Sequence, residues 1–295
     1  MKSNHKRSYN IKTTDLEVSC SNLDLKKAAD IYKEHGCLVV RGLMQSYVSN
    51  MYRDIMTTVD EAIRDLGNAS KTDEGWTVSN GSLFIPAPKN FSRDKQIMTV
   101  GINYKTSSCF LSAALDGNAL NIVESIIGPN IEIYGQGQVL VKEPVGGHPK
   151  LLHQDSAYFQ HKYNGPVGIL TYVIDSGLEN GALHVIPGTH LDGQLEHIDT
   201  FSHLGLDQDE WPWEAAVPII GSAGDSIFFH VKTVHGSKPN YSNKARPVFI
   251  NRYRDPKDFT IISGATTRKR TSSALNADKV KKDSAQYGLM ARGLR

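Results

Sequence analysis

From Ile131 to Arg254 the chain breaks into short apolar runs (IEIYGQGQVLVKEP, KLLHQD, VGILTYVID, GALHVIPG, AAVPIIG, SIFFH and RPVFINRYR), and the gaps carry turn residues. Gly146-Gly147, Asn164-Gly165-Pro166, Asn180-Gly181, Pro187-Gly188, Gly221 to Gly224 and Lys238-Pro239-Asn240 are the punctuation. Gly supplies positive φ, Pro fixes φ and withholds a donor, and Asn bonds its own backbone, so these positions end strands. Short strands so spaced build a sandwich or barrel, whereas alternating β-α units would need helical patterns of about 10–15 residues in the gaps. A jelly roll of about eight strands is expected over residues 130–255, in a mainly β fold with flanking α-helices on one outer face.

Upstream, residues 1–128 read as a mostly helical part packing on that barrel. Leu25, Ala28, Ala29 and Tyr32 recur at helical spacing in Leu23–His35, with Asn22 or Asp24 as cap. Gly36 suits the left-handed residue that ends many helices, and Cys37 to Arg41 follows as a β-branched strand. Ser46 to Leu66 predicts a second helix through Val48, Met51, Ile55, Val59 and Ile63, and Ala113 to Ile127 a third, stopped by Gly128-Pro129. Residues 68–100 are polar and read as a long loop, a length that in compact domains is often functional. Residues 256–295 form a polar tail holding the one basic cluster, RKR at 268–270 and KVKK at 279–282, read as a solvated face. There is no internal repeat, and the whole of 1–295 is expected to be a single domain.

Composition removes several classes. With 295 residues, 33 Lys+Arg against 31 Asp+Glu and a formal charge of +2, the chain is no general polyanion binder, and no nucleic-acid partner is expected. No run of about 18 apolar residues exists to span a membrane. The opening MKSNHKRSYNIKTTDLE has no apolar stretch of about 7–15 residues, so a cytoplasmic location is expected. Cys20, Cys37 and Cys109 are odd in number and far apart, which fits free thiols better than disulfides or a thiolate metal site.

Three segments read His-x-Asp: 153–155, 190–192 and 197–199. About one such match arises by chance, so context must choose. Residues i and i+2 of a strand share a face, so such a pair can hold one ion from inside a barrel, and a distant third ligand completes a facial set with open positions. His153 ends an apolar run, with His235 some eighty residues on; His190 sits in a turn and His197 in a polar stretch, where local hydrogen bonding explains them. Arg246, eleven residues after His235 at the head of PVFINRYR, is placed beside it on an antiparallel neighbour, as a fork for a bound carboxylate.

These segments together (HQD at 153–155, ENGALHVIPGTH at 179–190, AGDSIFFH at 223–230 and H-G-S-x-x-N-x-S-x-x-x-R at 235–246) resemble the phytanoyl-CoA dioxygenase family of iron(II)- and 2-oxoglutarate-dependent oxygenases. GCLVVRGLM at 36–44 resembles that family's N-terminal strand. The resemblance implies a double-stranded β-helix, a cupin-like barrel, with His153, Asp155 and His235 as catalytic iron ligands. It implies Arg246 on the distal carboxylate of 2-oxoglutarate, assisted by Ser237, with Gln138 and Thr171 near the cosubstrate; relatives often carry Trp where Thr171 stands. It also implies dioxygen as co-reactant and hydroxylation, desaturation or cyclisation of an unactivated carbon, with succinate and CO2 released. The intact Asp155 disfavours the halogenating branch, in which that carboxylate is lost.

For the substrate, expected to be a small molecule and best matched by a natural-product intermediate, Tyr158, Phe159, Trp211, Arg252 and Tyr104 are the candidate contacts, with Trp76, Trp213, Tyr253 and Arg254 as further candidates. Each aromatic has an ordinary core role as its alternative. Two other classes stay open: a cupin-like metal enzyme that needs no 2-oxoglutarate, and a non-catalytic binding barrel. Oligomeric state is not legible.

Overall fold

The computed structural model describes residues 11–89, 91–200, 203–262 and 288–295. Eight strands form the barrel: β1 (Gln138–Lys142), β2 (Lys150–His153), β3 (Val167–Tyr172), β4 (Leu183–Ile186), β5 (Val217–Pro218), β6 (Ser226–His230), β7 (Val234–Ser237) and β8 (Arg246–Arg254). One sheet runs β6-β3-β8-β1 and the facing sheet β5-β4-β7-β2, all antiparallel. Consecutive strands alternate between the two sheets except for β4 and β5, which pair within the smaller one, and this is the double-stranded β-helix.

The larger sheet is covered on both faces, which explains its near-continuous apolar strands. Leu170, Tyr172, Phe229, Val248 and Ile250 point between the sheets and pack on Leu183 and Val185. Their neighbours Ile169, Phe228, Phe249 and Val139 point the other way, onto helices α1 (Leu25–His35), α2 (Val48–Arg64), α3 (Ser108–Ala114) and α4 (Gly117–Ile127) through Ala28, Met51, Ile55, Phe110 and Ile122. Period-two alternation therefore exists here with both sets apolar.

α1 is capped by the Asp24 carboxylate, which accepts from Lys27 N, and ends at Gly36 with φ 69°, whose N–H donates to the Tyr32 carbonyl. The strand Cys37–Arg41 pairs antiparallel with β6. The third helix is in fact two, because the Asp116 carboxylate accepts from Ala119 N and starts α4 after a break.

Residues 68–100 are not a loop. The strands Ser70–Thr72, Gly75–Thr77, Leu83–Pro86 and Lys95–Val100 form an antiparallel extension of the larger sheet, attached through Thr99 and Val100 to β1. The part before residue 128 is thus mixed α and β. Downstream, Leu289–Arg292 pairs with Ile131–Ile133, so the end of the expected tail is stitched to the domain. The basic segments RKR and KVKK both lie outside the described residues. Among the described residues no helix is long and apolar enough to cross a membrane, and Cys20, Cys37 and Cys109 are free.

Candidate active site

β2 and β7 place His153 directly opposite His235. Beyond His153 the chain leaves the strand, and Asp155 opens the single turn Asp155–Ala157. One ligand atom from each of the three buried side chains lies within 4.8 Å of the others. His153 Nδ1 lies 2.7 Å from the Leu151 carbonyl and His235 Nδ1 2.9 Å from the Thr233 carbonyl. A carbonyl only accepts, so Nδ1 carries the proton and Nε2 keeps its lone pair. Both Nε2 atoms stand 3.7 Å from Asp155 Oδ1. Burial, then the neighbouring His235, pushes His153 down to about 3, which keeps that imidazole neutral.

Asp155 Oδ2 accepts from Arg252, 2.9 Å from Nη2 and 3.3 Å from Nε. Burial would raise this carboxyl, but the charged Arg252 beside it, which also donates to it, holds it down at about 2. One carboxylate oxygen is thereby tied to a guanidinium and the other is aimed at the imidazoles. Two imidazole nitrogens and one anionic oxygen on one side of a cavity fit iron(II) with open positions.

The cavity, about 490 Å³, lies between the sheets. Arg246, at the head of β8, is buried in its wall and donates from Nη2 to the Gly181 carbonyl, while its Nε is buried without a partner. Burial pushes its guanidinium down to about 10. Arg246 and His235 are not on paired strands: β7 belongs to the smaller sheet and β8 to the larger, so the arginine faces the metal triad's sheet across the interior. A buried cation with an unsatisfied donor and, among the described residues, no carboxylate partner suits the far carboxylate of a bound diacid such as 2-oxoglutarate.

Ser237, Gln138, Tyr158, Phe159 and Arg252 line this cavity, and Gln138 Oε1 lies 3.4 Å from Arg252 Nη1. Three expectations fail. Thr171 points out of the barrel, its hydroxyl 2.9 Å from Ser226 Oγ, and Leu170 faces the cavity instead. Trp211 packs behind the smaller sheet with Leu152, Ile186 and Val234. Tyr104 donates its hydroxyl to the Gly135 carbonyl, away from the cavity. Trp76 lies under Lys95, Trp213 against His184, Tyr253 in the helix-facing core, and Arg254 pairs with buried Glu132.

His190 and His197 stand outside the triad, but His197 braces the segment that carries it, because its Nε2 accepts from the Gln154 backbone N–H. The Gln154 side chain donates to the carbonyls of Gly193 and Lys232. The residue between the two ligands of the HQD segment is therefore pinned on three sides. Phe229 also escaped the sequence reading; its ring lies 4.7 Å from that of His235 and occupies space left by Gly168, where a Cβ would come within 2.7 Å of Phe229 Cζ.

A jelly roll with two histidines and one carboxylate at the edge of its cavity has the architecture of the iron- and 2-oxoglutarate-dependent oxygenases. Residues 32–248 match phytanoyl-CoA dioxygenase (PhyH), and the chain belongs to that family. Among curated relatives, the probable alpha-ketoglutarate-dependent hypophosphite dioxygenase of Stutzerimonas stutzeri is 27% identical over 143 residues, 45% of this chain and 49% of that protein. The peroxisomal phytanoyl-CoA dioxygenase of Bos taurus is 27% identical over 239 residues, 76% of this chain and 66% of that one. The chain thus spans about half to two thirds of these relatives' length. Among solved structures, the non-heme alpha ketoglutarate dependent carbocyclase SnoK from nogalamycin biosynthesis superposes with a TM-score of 0.60 at 21% identity, over 83% of this chain and 88% of that one. The epimerase SnoN, in complex with Fe3+, alpha ketoglutarate and nogalamycin RO, gives 0.55 at 20% identity, over 80% and 85%. These superpositions establish the shared fold.

Proposed function

We propose that the chain is an iron(II)- and 2-oxoglutarate-dependent dioxygenase that oxidises an unactivated carbon of a small molecule, in the simplest outcome converting R–H, 2-oxoglutarate and O2 to R–OH, succinate and CO2. The observation that carries this reading is the pairing, in one cavity, of an N,N,O triad with a buried arginine that has no carboxylate partner among the described residues. Iron(II) and 2-oxoglutarate, when bound, supply the oxidising chemistry. Everything else is asked of the chain. His153 and His235 present Nε2 because the main chain holds Nδ1. Asp155 presents one oxygen because Arg252 holds the other. Arg246 and Ser237 grip the distal end of the diacid, while Gln138 lines the wall between them and Arg252. Tyr158 and Phe159 supply apolar surface that excludes water around the reacting carbon. No side-chain general base is required.

The retained Asp155 favours oxygenation over halogenation. A natural-product intermediate is the substrate class we favour, supported by SnoK and SnoN, both described as coming from nogalamycin biosynthesis. The direct test is anaerobic titration with iron(II) and then 2-oxoglutarate, watching for the weak visible charge-transfer band of the chelated keto acid. The band is expected with wild type and weakened in Arg246→Ala. Iron binding without any band would instead favour a cupin-like metal site that uses no 2-oxoglutarate.

A further inference from the structure

Asp73 and Glu74 stand exposed among the lining residues, yet one cation of the cavity is matched neither by the triad nor by a bound diacid. Arg252 is matched by Asp155, and Arg246 by the distal carboxylate assigned to it. Lys142, at the end of β1 opposite Arg246, gives its ammonium to the carbonyls of His148 and Ser237, so it braces the cavity floor. Lys150 is different. It opens β2 opposite Ser237, lines the cavity, and its ammonium reaches only Met98 Sδ, at 3.3 Å. A thioether is a weak acceptor and carries no counter-charge. Among the described residues no carboxylate forms an ion pair with Lys150; Glu74, exposed at the mouth of the cavity, acts on it only from a distance.

Two imidazoles complete the patch. The His203 ring lies 5.5 Å from that of the triad's His153 and 6.5 Å from that of His148, and all three line the same cavity as Lys150. Burial pushes His148 down to about 4, so its ring is neutral, and it pushes Lys150 down to about 8. The patch therefore combines one ammonium with two polar rings beside the metal triad, and among the described residues no acid is ion-paired with it. A cavity of about 490 Å³ falls in the range that accepts drug-sized ligands, enough for a five-carbon diacid and a second molecule.

We propose that Lys150, flanked by His148 and His203, is the substrate's anion subsite: the molecule oxidised carries a carboxylate or phosphate-type oxyanion that seats on Lys150 while its reacting carbon faces the triad. This rests on the oxygenase reading above and narrows it to anionic substrates. Buried ammonium–oxyanion contact supplies orientation as well as affinity, and a neutral analogue leaves the cation uncompensated.

The test uses the iron(II)- and 2-oxoglutarate-loaded protein under anaerobic conditions, with benzoate and phenylphosphonate as probes and benzyl alcohol as uncharged control, followed by calorimetry. At least one anion is expected to bind about tenfold or more tighter than the alcohol without displacing 2-oxoglutarate, and the tighter of the two identifies the oxyanion preferred. Lys150→Met is expected to lose about tenfold or more of that affinity, and Lys150→Arg to stay within about threefold, because it keeps the charge. The 2-oxoglutarate midpoint, read from the charge-transfer band, is expected to be unmoved in both variants, which also shows that their sites are folded. A band with no anion binding, equal binding of the alcohol, displacement of 2-oxoglutarate by the probe, or an equal loss of 2-oxoglutarate affinity in Lys150→Met would each overturn the subsite while leaving the oxygenase reading intact. Absence of the band in wild type would instead overturn the oxygenase reading, and the subsite with it.

Discussion

Arg246 and Arg252 stand on one strand, six residues apart, and both face the same cavity, yet they live in opposite electrostatic states. Arg252 is joined to Asp155 and completes a pair that the protein owns. Arg246 has a carbonyl, the face of the Tyr172 ring and an unpartnered Nε, and among the described residues no carboxylate pairs with it until a ligand arrives. An interior ion pair costs desolvation and returns it in mutual attraction; an interior lone cation only costs. One end of β8 thus serves the architecture of the metal triad, and the other is a receptor whose desolvation is offset on binding.

The largest effect should come from cutting the matched end. Asp155→Ala removes a ligand and strands Arg252, so iron content measured by metal analysis and succinate release should both vanish while far-ultraviolet circular dichroism is retained; turnover at wild-type level would remove Asp155 from the triad. Exchanging the two arginines for methionine sharpens the contrast. Arg246→Met should raise the 2-oxoglutarate needed for half-saturation about a hundredfold and leave iron binding nearly unchanged, with apo stability equal or slightly higher. Arg252→Met should do the reverse, lowering apo stability by about 3 kcal/mol in urea melts because Asp155 stays buried without its partner. Equal losses from both variants would mean that the two arginines are not in different states.

Smaller effects probe the surroundings. Gly168→Ala pushes on Phe229 and through it on His235, and should cost about 2 kcal/mol of stability, measurable as a lower urea midpoint. An unchanged midpoint would show that Phe229 has room to move. The buried imidazoles set the acid limb. Burial pushes His197 down to about 4 and His230 to about 3, so both stay neutral when folded but take up a proton near 6.5 when unfolded. Below pH 6.5 the unfolded chain binds more protons, so stability should fall by about 1.4 kcal/mol per pH unit for each of them down to about pH 4, and this contribution should be flat above 6.5. Urea melts at pH 7.5, 6 and 5 read the slope, and His197→Gln should make it shallower.

The barrel and the triad were legible because turn residues and the HQD and His235–Arg246 spacings leave a local mark. What escaped was set by contacts distant in sequence. Thr171 was misplaced by one residue of phase because β3 is apolar on both faces, and alternation cannot be read where both sides are covered. Strands at 70–100 were hidden by short length and polar edges; Ser70–Thr72 is wholly exposed and draws its order from pairing alone. Arg252 was recognised as belonging to the cavity, but its partner lies 97 residues away. Trp211 and Tyr104 were assigned by residue type, and type does not say which side of a sheet a ring falls on.

The carbonyls of Leu151 and Thr233 have a consequence beyond tautomer choice. Each belongs to the residue two places before the imidazole it holds, so the donor direction of both histidines is written into the chain trace, not lent by neighbouring side chains. Substitutions in the cavity wall that do not press on these rings, as Phe229 does on His235, can therefore accumulate without turning either one. The lining is free to diverge toward new molecules while the metal-facing geometry is inherited unchanged.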